Sequence, residues 1–255
     1  MKNIVFQVNI SGHRVKPEFD YSTKSWAKWC KSNGFVHLSL TEPVYELDYM
    51  NANWHKFLCL ELLENENIKY DQVCIVDADT IVHPDCPNFF EETNNKFSVV
   101  QTEGCYEWVN RSIKSYGEFL FPKIDINVWE YFNSGFMIIN KSHRKFCDDI
   151  YKFYTDNRDN LVQAQEKFKV GTDQTPINYL VREHNIELKF LPNCYNLQDL
   201  FKKNLLFIDG YSWWKDELID MYNSGWVYHF NAVPQNPSKR DAGYWLQRTY
   251  EELYA

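Results

Sequence analysis

Two kinds of apolar pattern alternate along the chain. Short apolar or alternating runs with the length of strands span residues 4–10, 35–40, 73–76, 98–101, 136–139, 186–192 and 226–231. Apolar residues at helical spacing lie between them, in residues 19–31, 53–63, 142 to about 155 and 172–180. Strands that alternate with helices predict an α/β protein with a mostly parallel central sheet flanked by helices.

Two segments lack a clear period. Residues 103–129 are rich in aromatic side chains, and we interpret them as a variable, irregular insertion. Residues 156–169 are polar and predict a loop with a partial helix. Ser142 and Thr172 are the expected N-caps of the helices that follow them. The run at residues 186–192 is expected to form an edge strand.

The most informative stretch is the apolar run at residues 73–76, which is followed by Asp77 and Asp79. Both faces of the run are apolar, so it predicts a buried parallel strand. Asp77 and Asp79 follow at its carboxyl end, where open α/β sheets bind ligands. Alternation along an extended backbone directs both carboxylates to the same side. They repel each other unless a cation joins them, and hard oxygen ligands suit Mg²⁺ or Mn²⁺.

An Asp-x-Asp triplet is common, and most examples lie in solvated turns. The position of this one favours a metal site, because it ends an apolar strand near the middle of the chain and precedes a second apolar pair. A divalent ion held in this way suits a diphosphate group.

Composition and charge narrow the functional class. The chain has 255 residues, 44% hydrophobic and 24% charged, which is typical of a globular protein and long enough for one large domain. Its formal net charge of −8 argues against a nucleic-acid partner, which requires a basic surface. The same charge leaves a bound diphosphate short of positive charge, so a metal becomes more necessary. Aromatic residues reach 17%, and they either form the core or stack on sugar rings and bases.

Cysteine usage and the amino terminus indicate the compartment. The seven cysteines are scattered, with no CxxC pair and no zinc-finger spacing, so free thiols in a reducing compartment are expected. The apolar run at the amino terminus is interrupted by Gln7 and Asn9, unlike a signal peptide. No stretch approaches the ~20 apolar residues of a membrane span. We therefore expect a soluble, cytoplasmic protein.

Two candidate binding elements precede the Asp pair. Asn9 and Ser11 lie after the first strand, where an α/β sheet approaches a nucleotide base and ribose, but neither a GxGxxG nor a P-loop pattern is present. Lys56 lies near the start of the helix that leads into the Asp-containing strand. It is either a solvated helix lysine or a cation that reaches nucleotide phosphates or a donor sugar.

Two further polar groups follow the Asp pair. Asn133, Ser134 and Gly135 form a turn before a buried strand, where Gly135 permits a close approach and Asn133 can bind sugar hydroxyls. Asp173 and Gln174 lie at the start of a helix. Capping explains Asp173 well, but it does not explain Gln174 as specifically.

The carboxyl-terminal part supplies an imidazole and positive charge. A histidine in an apolar strand is most often a core residue, but His229 ends its strand and precedes the pair Lys239 and Arg240, which favours a metal ligand. Trp213 and Trp214 either form a sugar platform or fill the core.

The order of these motifs resembles that of the retaining GT-A glycosyltransferases typified by glycogenin and the bacterial lipopolysaccharide galactosyltransferases. The resemblance implies a GT-A fold in one domain, residues 1–255, with a nucleotide-binding half (1–101) and a half for acceptor and donor sugar (102–255). It also implies roles for individual residues. Asp77, Asp79 and His229 would bind Mn²⁺ on the nucleotide diphosphate; Asn133, Asp173 and Gln174 would hold the donor sugar; and Lys56 matches a basic residue of the family.

One departure concerns the phosphate-binding lysine. The family pattern His-x-x-Gly-x-x-Lys-Pro is not present, because His229 is followed by Phe-Asn-Ala-Val, so Lys239 and Arg240 are both candidates. By resemblance, the donor is a UDP-sugar and the acceptor a glycan or another hydroxyl compound, in contact with residues 103–129.

The stereochemical outcome stays open at this point. With retention, the leaving phosphate takes the acceptor proton and Asp173 or Gln174 lines the opposite face; with inversion, Asp173 is the candidate base. Two other functions share part of the pattern. A sugar-phosphate nucleotidyltransferase would share the metal carboxylates, and a carbohydrate-binding protein would share the aromatic residues.

Overall fold

The computed structural model describes residues 2–10, 17–200, 223–233 and 241–254. A six-stranded sheet in the order β2-β1-β3-β6-β5-β7 forms the centre, and a two-stranded sheet pairs β4 with β8. The strands are β1 Asn3–Val8, β2 Val36–Leu40, β3 Gln72–Asp77, β4 Thr80–Val82, β5 Phe97–Gln101, β6 Phe132–Asn140, β7 Leu188–Leu191 and β8 Val227–His229. Only β6 runs antiparallel to its neighbours in the six-stranded sheet, so the predicted mostly parallel sheet is confirmed.

Helices flank the sheet. In the described parts of the chain they are α1 Asp20–Asn33, α2 Cys59–Asn65, α3 Tyr106–Leu120, α4 Arg144–Phe168, α5 Gln174–Glu183 and α6 Ala242–Tyr254. A 3₁₀ helix, Ala52–Leu58, leads directly into α2. None of these helices is long and apolar enough to cross a bilayer.

The central strands bury both faces, as their continuous apolar sequence requires. In β3, Val73 and Ile75 face one hydrophobic cluster, which includes side chains of α4 and α5. Cys74 and Val76 face the opposite cluster, where Trp26 of α1 packs. The alternation of the strand therefore divides one apolar run between two cores, and its carboxyl end emerges between them.

The segment predicted to be irregular, residues 103–129, contains helix α3 over more than half of its length. A glycine is unusual inside a helix, but Tyr179 leaves no room for a side chain at position 117. An added Cβ on Gly117 would lie 2.6 Å from the tyrosine hydroxyl. The prediction of an irregular insertion was therefore wrong for residues 106–120.

Helix α4 is longer than predicted, since it continues through the polar residues 156–168 and ends at Lys169 in the left-handed conformation. Leu161 and Ala164 of this polar half are buried and anchor it to the core. Two predicted caps were also displaced. Asn140, not Ser142, caps the turn before α4, and α5 begins at Gln174 with Asp173, not Thr172, as the residue before it.

The two sheets meet at the carboxyl end of β3. Strand β3 ends at Asp77, the chain turns through residues 78 and 79, and β4 begins at Thr80. Thr80 pairs with His229 of β8, which brings a residue from far along the chain to this turn. On the other side, Val76 pairs with Phe136, so the start of β6 lies beside Asp77. The predicted edge position of β7 is confirmed by the strand order.

Candidate metal centre

Three potential ligands converge where the two sheets meet. Ligand atoms of Asp77, Asp79 and His229 all lie within 4.8 Å of one another, and they form a group in the described part of the chain that could hold one metal ion. His229 Nε2 lies 3.0 Å from Asp79 Oδ1 and 3.9 Å from Asp77 Oδ2. The turn between β3 and β4 supplies both carboxylates, and the β4–β8 pairing supplies the imidazole.

The donor set and its geometry fit a hard divalent ion. Mg²⁺ binds its ligands at about 2.0–2.1 Å in octahedral geometry, which places neighbouring ligand atoms about 3.0 Å apart. The separation of His229 Nε2 and Asp79 Oδ1 matches this spacing. His229 is 1% exposed, and its Nε2 faces both carboxylates, with Asp79 Oδ1 within hydrogen-bond distance.

Gly135 keeps the space around this group open. A Cβ on Gly135 would lie 2.4 Å from His229 Cε1 and 2.7 Å from Asp77 Oδ2. Real Cβ atoms do not approach other atoms so closely, so any side chain would displace one of these two groups. The close approach that the sequence predicted for this glycine is therefore observed.

The three groups influence one another's protonation. Burial alone would lower the pKa of His229, but the negative charge of Asp79 raises it above its usual value. Burial opposes ionisation of Asp79 as well, and the positive charge of His229 outweighs it, so the pKa of Asp79 is lowered. Burial raises the pKa of Asp77 in spite of the nearby Lys56 ammonium. In the absence of metal, a second proton on the His229 ring therefore offsets part of the negative charge of Asp77 and Asp79.

Lys56 is buried, which excludes the solvated helix lysine. Its side chain is 3% exposed, and Nζ lies 2.6 Å from Asp77 Oδ1, 3.2 Å from Asp173 Oδ2 and 3.2 Å from the Ser134 carbonyl oxygen. The two carboxylates outweigh burial and raise the pKa of Lys56. All three donor hydrogens of the ammonium group thus have acceptors, and Asp77 keeps its other oxygen, Oδ2, toward His229.

Asp173 and Gln174 join this group from the start of α5. Asp173 is buried, and its oxygens accept from Ser134 Oγ at 2.9 Å and from Thr172 Oγ1 at 3.0 Å. Gln174 Oε1 accepts from Asn133 Nδ2 at 2.9 Å and from the Ser134 backbone amide at 3.4 Å. The prediction of a turn at residues 133–135 was wrong, because β6 already begins at Phe132. These strand residues are in direct contact with the predicted Asp-Gln pair.

One residue that the sequence did not single out, Asn196, connects these groups. His229 Nδ1 lies 3.0 Å from Asn196 Oδ1, and Asn196 Nδ2 donates to Asn133 Oδ1 at 3.1 Å. Together with the Asn133–Gln174 bond, these contacts form a continuous chain of side-chain hydrogen bonds from Gln174 to His229. Asn196 follows a short loop after β7 and has no local sequence signal that distinguishes it from an ordinary turn residue.

Two cavities adjoin the row of hydrogen bonds that runs from Gln174 to His229. A cavity of about 720 Å³ is lined by Asp77, Asp79 and Lys56, by polar residues near the 3₁₀ helix, and by the apolar side chains Val8, Ile10 and Phe19. A smaller cavity of about 180 Å³ is lined by Asn133 and Gln174 together with Trp108, Asp199 and Asn231. The metal group therefore opens into the larger cavity, and the Asn133–Gln174 pair faces the smaller one.

The remaining candidates are less informative. Asn9 is buried after β1, and its Nδ2 donates to Thr23 Oγ1 at 3.2 Å. Ser11, Lys239 and Arg240, as well as Trp213 and Trp214, lie outside the described residues. Their proposed contacts with substrate stay predictions.

A solved glycosyltransferase shares the fold. A glycosyltransferase involved in the glycosylation of the major capsid of PBCV-1 superposes with a TM-score of 0.59 and 9% identity, covering 99% of this chain and 100% of that chain. GlyE of Streptococcus pneumoniae TIGR4 gives a TM-score of 0.48 and 13% identity over 99% of this chain, which spans 60% of GlyE. Mouse xyloside xylosyltransferase 1 gives 0.47 and 12%, covering 91% of this chain and 98% of that one.

No model of a protein family matches the sequence, and no curated protein matches it. At 9% identity the likeness to the PBCV-1 protein establishes the fold. The predicted α/β fold of the GT-A type is therefore confirmed, and the activity has to be argued from the site.

Proposed function

We propose that the protein is a metal-dependent glycosyltransferase, which transfers a sugar from a nucleoside diphosphate sugar to a hydroxyl group of a glycan or another acceptor. The observation that carries the proposal is the group of Asp77, Asp79 and His229 at the edge of a cavity of about 720 Å³. This arrangement provides a divalent cation site beside a space large enough for a nucleotide. UDP is the nucleotide that the family resemblance implies.

The residues around the cavity suit the parts of such a donor. Val8, Ile10 and Phe19 supply apolar surface for a base, and Asn51 and Asn53 supply amides for ribose hydroxyls. Asp77, Asp79 and His229 would hold Mn²⁺ or Mg²⁺. When bound, the ion acts as a Lewis acid that stabilises negative charge on the leaving diphosphate.

Lys56 supports this chemistry through the carboxylates. Its ammonium lies between Asp77 and Asp173, so it offsets the charge of one half-buried and one buried carboxylate and keeps one oxygen of Asp77 directed to the ion site. Without this counter-charge, the donor diphosphate would approach a strongly anionic site. The lysine thus contributes to donor binding even though its own donor hydrogens already have acceptors.

The sugar is proposed to lie against the Asn133–Gln174 pair. The Gln174 Oε1 atom accepts two hydrogen bonds from the start of β6, so the orientation of its amide is fixed. The smaller cavity on this side, of about 180 Å³, is below the range of about 300–1,000 Å³ of pockets that hold drug-sized ligands, so its size suits a single sugar ring. Trp108 and Asp199 also line this cavity. Trp108 offers an aromatic face to the sugar ring, and Asp199 offers a carboxylate to its hydroxyls.

Retention is the stereochemical outcome that we propose. Inversion requires a carboxylate base, and the candidate Asp173 is buried with both oxygens engaged by Ser134, Thr172 and Lys56. With retention, the leaving phosphate accepts the acceptor proton, and Asp173 and Gln174 orient the sugar rather than remove a proton. NMR of the anomeric configuration of the first product tests this assignment.

A product assay separates this function from the alternatives. The protein is incubated with UDP-, GDP- and ADP-sugars in Mn²⁺, in Mg²⁺ and in EDTA. A glycosyltransferase releases nucleoside diphosphate, even by slow hydrolysis without an acceptor, whereas a nucleotidyltransferase given sugar phosphate and nucleoside triphosphate releases pyrophosphate. A carbohydrate-binding protein releases neither. We expect metal-dependent release of UDP that Asp79→Asn abolishes; release that is unchanged by EDTA would contradict the proposal.

A further inference from the structure

We propose that Asn196 is a positioning residue that fixes the tautomer and orientation of His229 and links the metal centre to the Asn133–Gln174 pair. The inference deepens the proposed function, because it assigns a role within the same site. It rests on a chain of hydrogen bonds whose donors and acceptors can be assigned without ambiguity.

The assignment starts at the backbone. The Gly135 amide can only donate, and it donates to the Asn133 side chain at 2.8 Å, so the atom it meets is an oxygen. The side-chain amide of Asn196 contacts this same oxygen at 3.1 Å. An oxygen can only accept, so the contacting atom of Asn196 must be its nitrogen, Nδ2, which donates. Its own oxygen then faces His229 Nδ1 at 3.0 Å, which requires a hydrogen on Nδ1. One backbone amide of β6 thus determines the tautomer of an imidazole on β8.

The donors and acceptors at the Gln174 end of this row of hydrogen bonds are assigned in the same way. The Ser134 amide donates to the Gln174 side chain at 3.4 Å, which identifies that atom as Oε1. The Asn133 atom that meets Oε1 at 2.9 Å is therefore its nitrogen, in agreement with the oxygen assigned from Gly135. Two backbone donors thus assign all three amide side chains consistently.

The backbone holds Asn196 rigidly in this position. Asn196 is 1% exposed, and its backbone N–H donates to the backbone carbonyl of Asn193 at 2.9 Å. The next residue, Leu197, donates to the Val227 carbonyl at 2.8 Å and accepts from the His229 amide at 2.9 Å. The segment therefore pairs with β8 itself, so that Asn196 and His229 are held on adjacent backbones.

The consequence for metal binding follows from the chemistry of imidazole. A neutral histidine with hydrogen on Nδ1 has its lone pair on Nε2, the atom that faces Asp79 and Asp77. Metal-binding histidines depend on a partner at the other ring nitrogen, and loss of that partner costs about 10–100-fold in metal affinity. Because Asn196 also holds Asn133, the same residue couples the ion site to the residues proposed to bind the sugar.

Two substitutions at this position separate the two links. Asn196→Leu removes both hydrogen bonds, so the Kd for Mn²⁺, measured by electron paramagnetic resonance without nucleotide, should increase about 10–100-fold. Asn196→Asp still accepts from His229 Nδ1 but cannot donate to Asn133 Oδ1. It should bind Mn²⁺ at least as tightly as the wild type while raising the KM for the nucleotide sugar that the product assay identifies.

Gln198→Leu is the matched control. Gln198 is also a buried amide of this segment, but its Nε2 donates to the Gln101 carbonyl at 2.8 Å rather than to the metal site. The control should lower thermal stability while leaving the Kd for Mn²⁺ unchanged. A loss of Mn²⁺ affinity in Gln198→Leu equal to that in Asn196→Leu would show that destabilisation alone is responsible, and would overturn the inference.

A measurement on the wild type avoids dependence on any variant that fails to fold. In protein labelled with ¹⁵N-histidine and saturated with diamagnetic Mg²⁺, His229 should be neutral and carry its proton on Nδ1. A proton on Nε2 overturns the inference, as does wild-type Mn²⁺ affinity in Asn196→Leu. A wild-type protein that binds Mn²⁺ but cleaves no nucleotide sugar would contradict the proposed function alone.

Discussion

At the scale of single residues, the site is a balance of buried charges. Two carboxylates, Asp77 and Asp173, share one ammonium group, and Asp77 and Asp79 share one imidazole. A buried charge that loses its partner costs far more than a surface ion pair contributes. Lys56 is therefore expected to stabilise the fold as well as the site.

Replacing Lys56 with methionine tests this balance. Removal of one partner from a buried ion pair costs about 3–5 kcal/mol in the free energy of unfolding near neutral pH. Burial already raises the pKa of Asp77, and Lys56 is the main opposing charge, so the pKa should rise further in Lys56→Met. A carboxylate whose pKa is higher in the folded than in the unfolded protein destabilises the fold when it is ionised. The loss in the free energy of unfolding caused by Lys56→Met should therefore become smaller as the pH falls and Asp77 is protonated.

Urea unfolding at several pH values measures this effect. Lys145→Met is the control, since Lys145 is exposed and pairs with Asp149, four residues along α4. It should change the free energy of unfolding by no more than about 1 kcal/mol. A loss in Lys56→Met that is small, or that grows as the pH falls, would contradict the assigned charges.

Gly135 gives a steric test at the same scale. Its substitution by alanine would bring a methyl group to 2.4 Å from His229 Cε1, so we expect loss of Mn²⁺ affinity and, from overpacking, about 1–3 kcal/mol of stability. Gly34→Ala is the control. Gly34 has φ +71° but no atom within 4 Å of an added Cβ, so it should lose stability without losing Mn²⁺ affinity. Mn²⁺ binding by Gly135→Ala at wild-type strength would exclude the proposed position of the ion.

At the scale of elements, the site depends on pairing between β4 and β8. Thr80, at the start of β4, pairs with His229, and its buried hydroxyl accepts from Trp26 Nε1 at 2.9 Å and donates to the Asp77 carbonyl at 2.7 Å. This one side chain therefore ties helix α1, the turn that carries both aspartates, and the small sheet together.

Thr80→Val tests that connection. Valine preserves the shape but leaves the Trp26 indole and the Asp77 carbonyl without their partner, at about 1–3 kcal/mol for each buried unpaired group. Both the melting temperature and the Mn²⁺ affinity should decrease, and Thr80→Ser should restore both. Calorimetry and Mn²⁺ titration give the two readouts. Reduced stability with unchanged Mn²⁺ affinity would show that the turn keeps its geometry without this hydroxyl.

Elements with a strong local period were predictable from the sequence, and elements that depend on distant contacts were not. The buried strand before Asp77 has apolar residues on both faces, and its type and its polar end were correct. Helix α3 was missed because aromatic residues and Gly117 obscure its period, while Tyr179, far along the chain, explains the glycine. The polar half of α4 was missed because only a few of its side chains reach the core.

The candidate site shows the same limit. Its carboxylates, its histidine and its Asn and Gln residues could be named from motif order, since each lies near one end of a recognisable strand or at the start of a helix. Asn196 could not, because its role exists only where β6, β8 and the loop after β7 meet. The burial of Lys56 between two carboxylates was equally inaccessible, since Asp173 comes to it from α5.

At the scale of the whole molecule, topology explains why the ligands converge. Strand β6 runs antiparallel beside β3, so its start, not its end, lies at the carboxyl end of β3 and brings Asn133 and Gly135 to the aspartates. The small sheet returns His229 to the same place. The division into halves at residues 101 and 102 stays a prediction, but these contacts show that residues on both sides of it build one site.

The charge of the molecule makes the ion central to the account. With a formal net charge of −8, the protein repels a diphosphate at long range, and the described part of the 720 Å³ cavity offers Lys56 already paired with carboxylates. A nucleoside diphosphate should therefore bind well only together with a divalent cation.

Isothermal titration of UDP into the protein, with and without Mn²⁺, measures this dependence on the ion. UDP should bind at least tenfold more tightly with saturating Mn²⁺ than in EDTA, and His229→Gln and Asp79→Asn should each remove this difference. Equal UDP affinity with and without Mn²⁺, or an Mn²⁺-dependent affinity that both substitutions leave intact, would contradict the role of the ion in UDP binding.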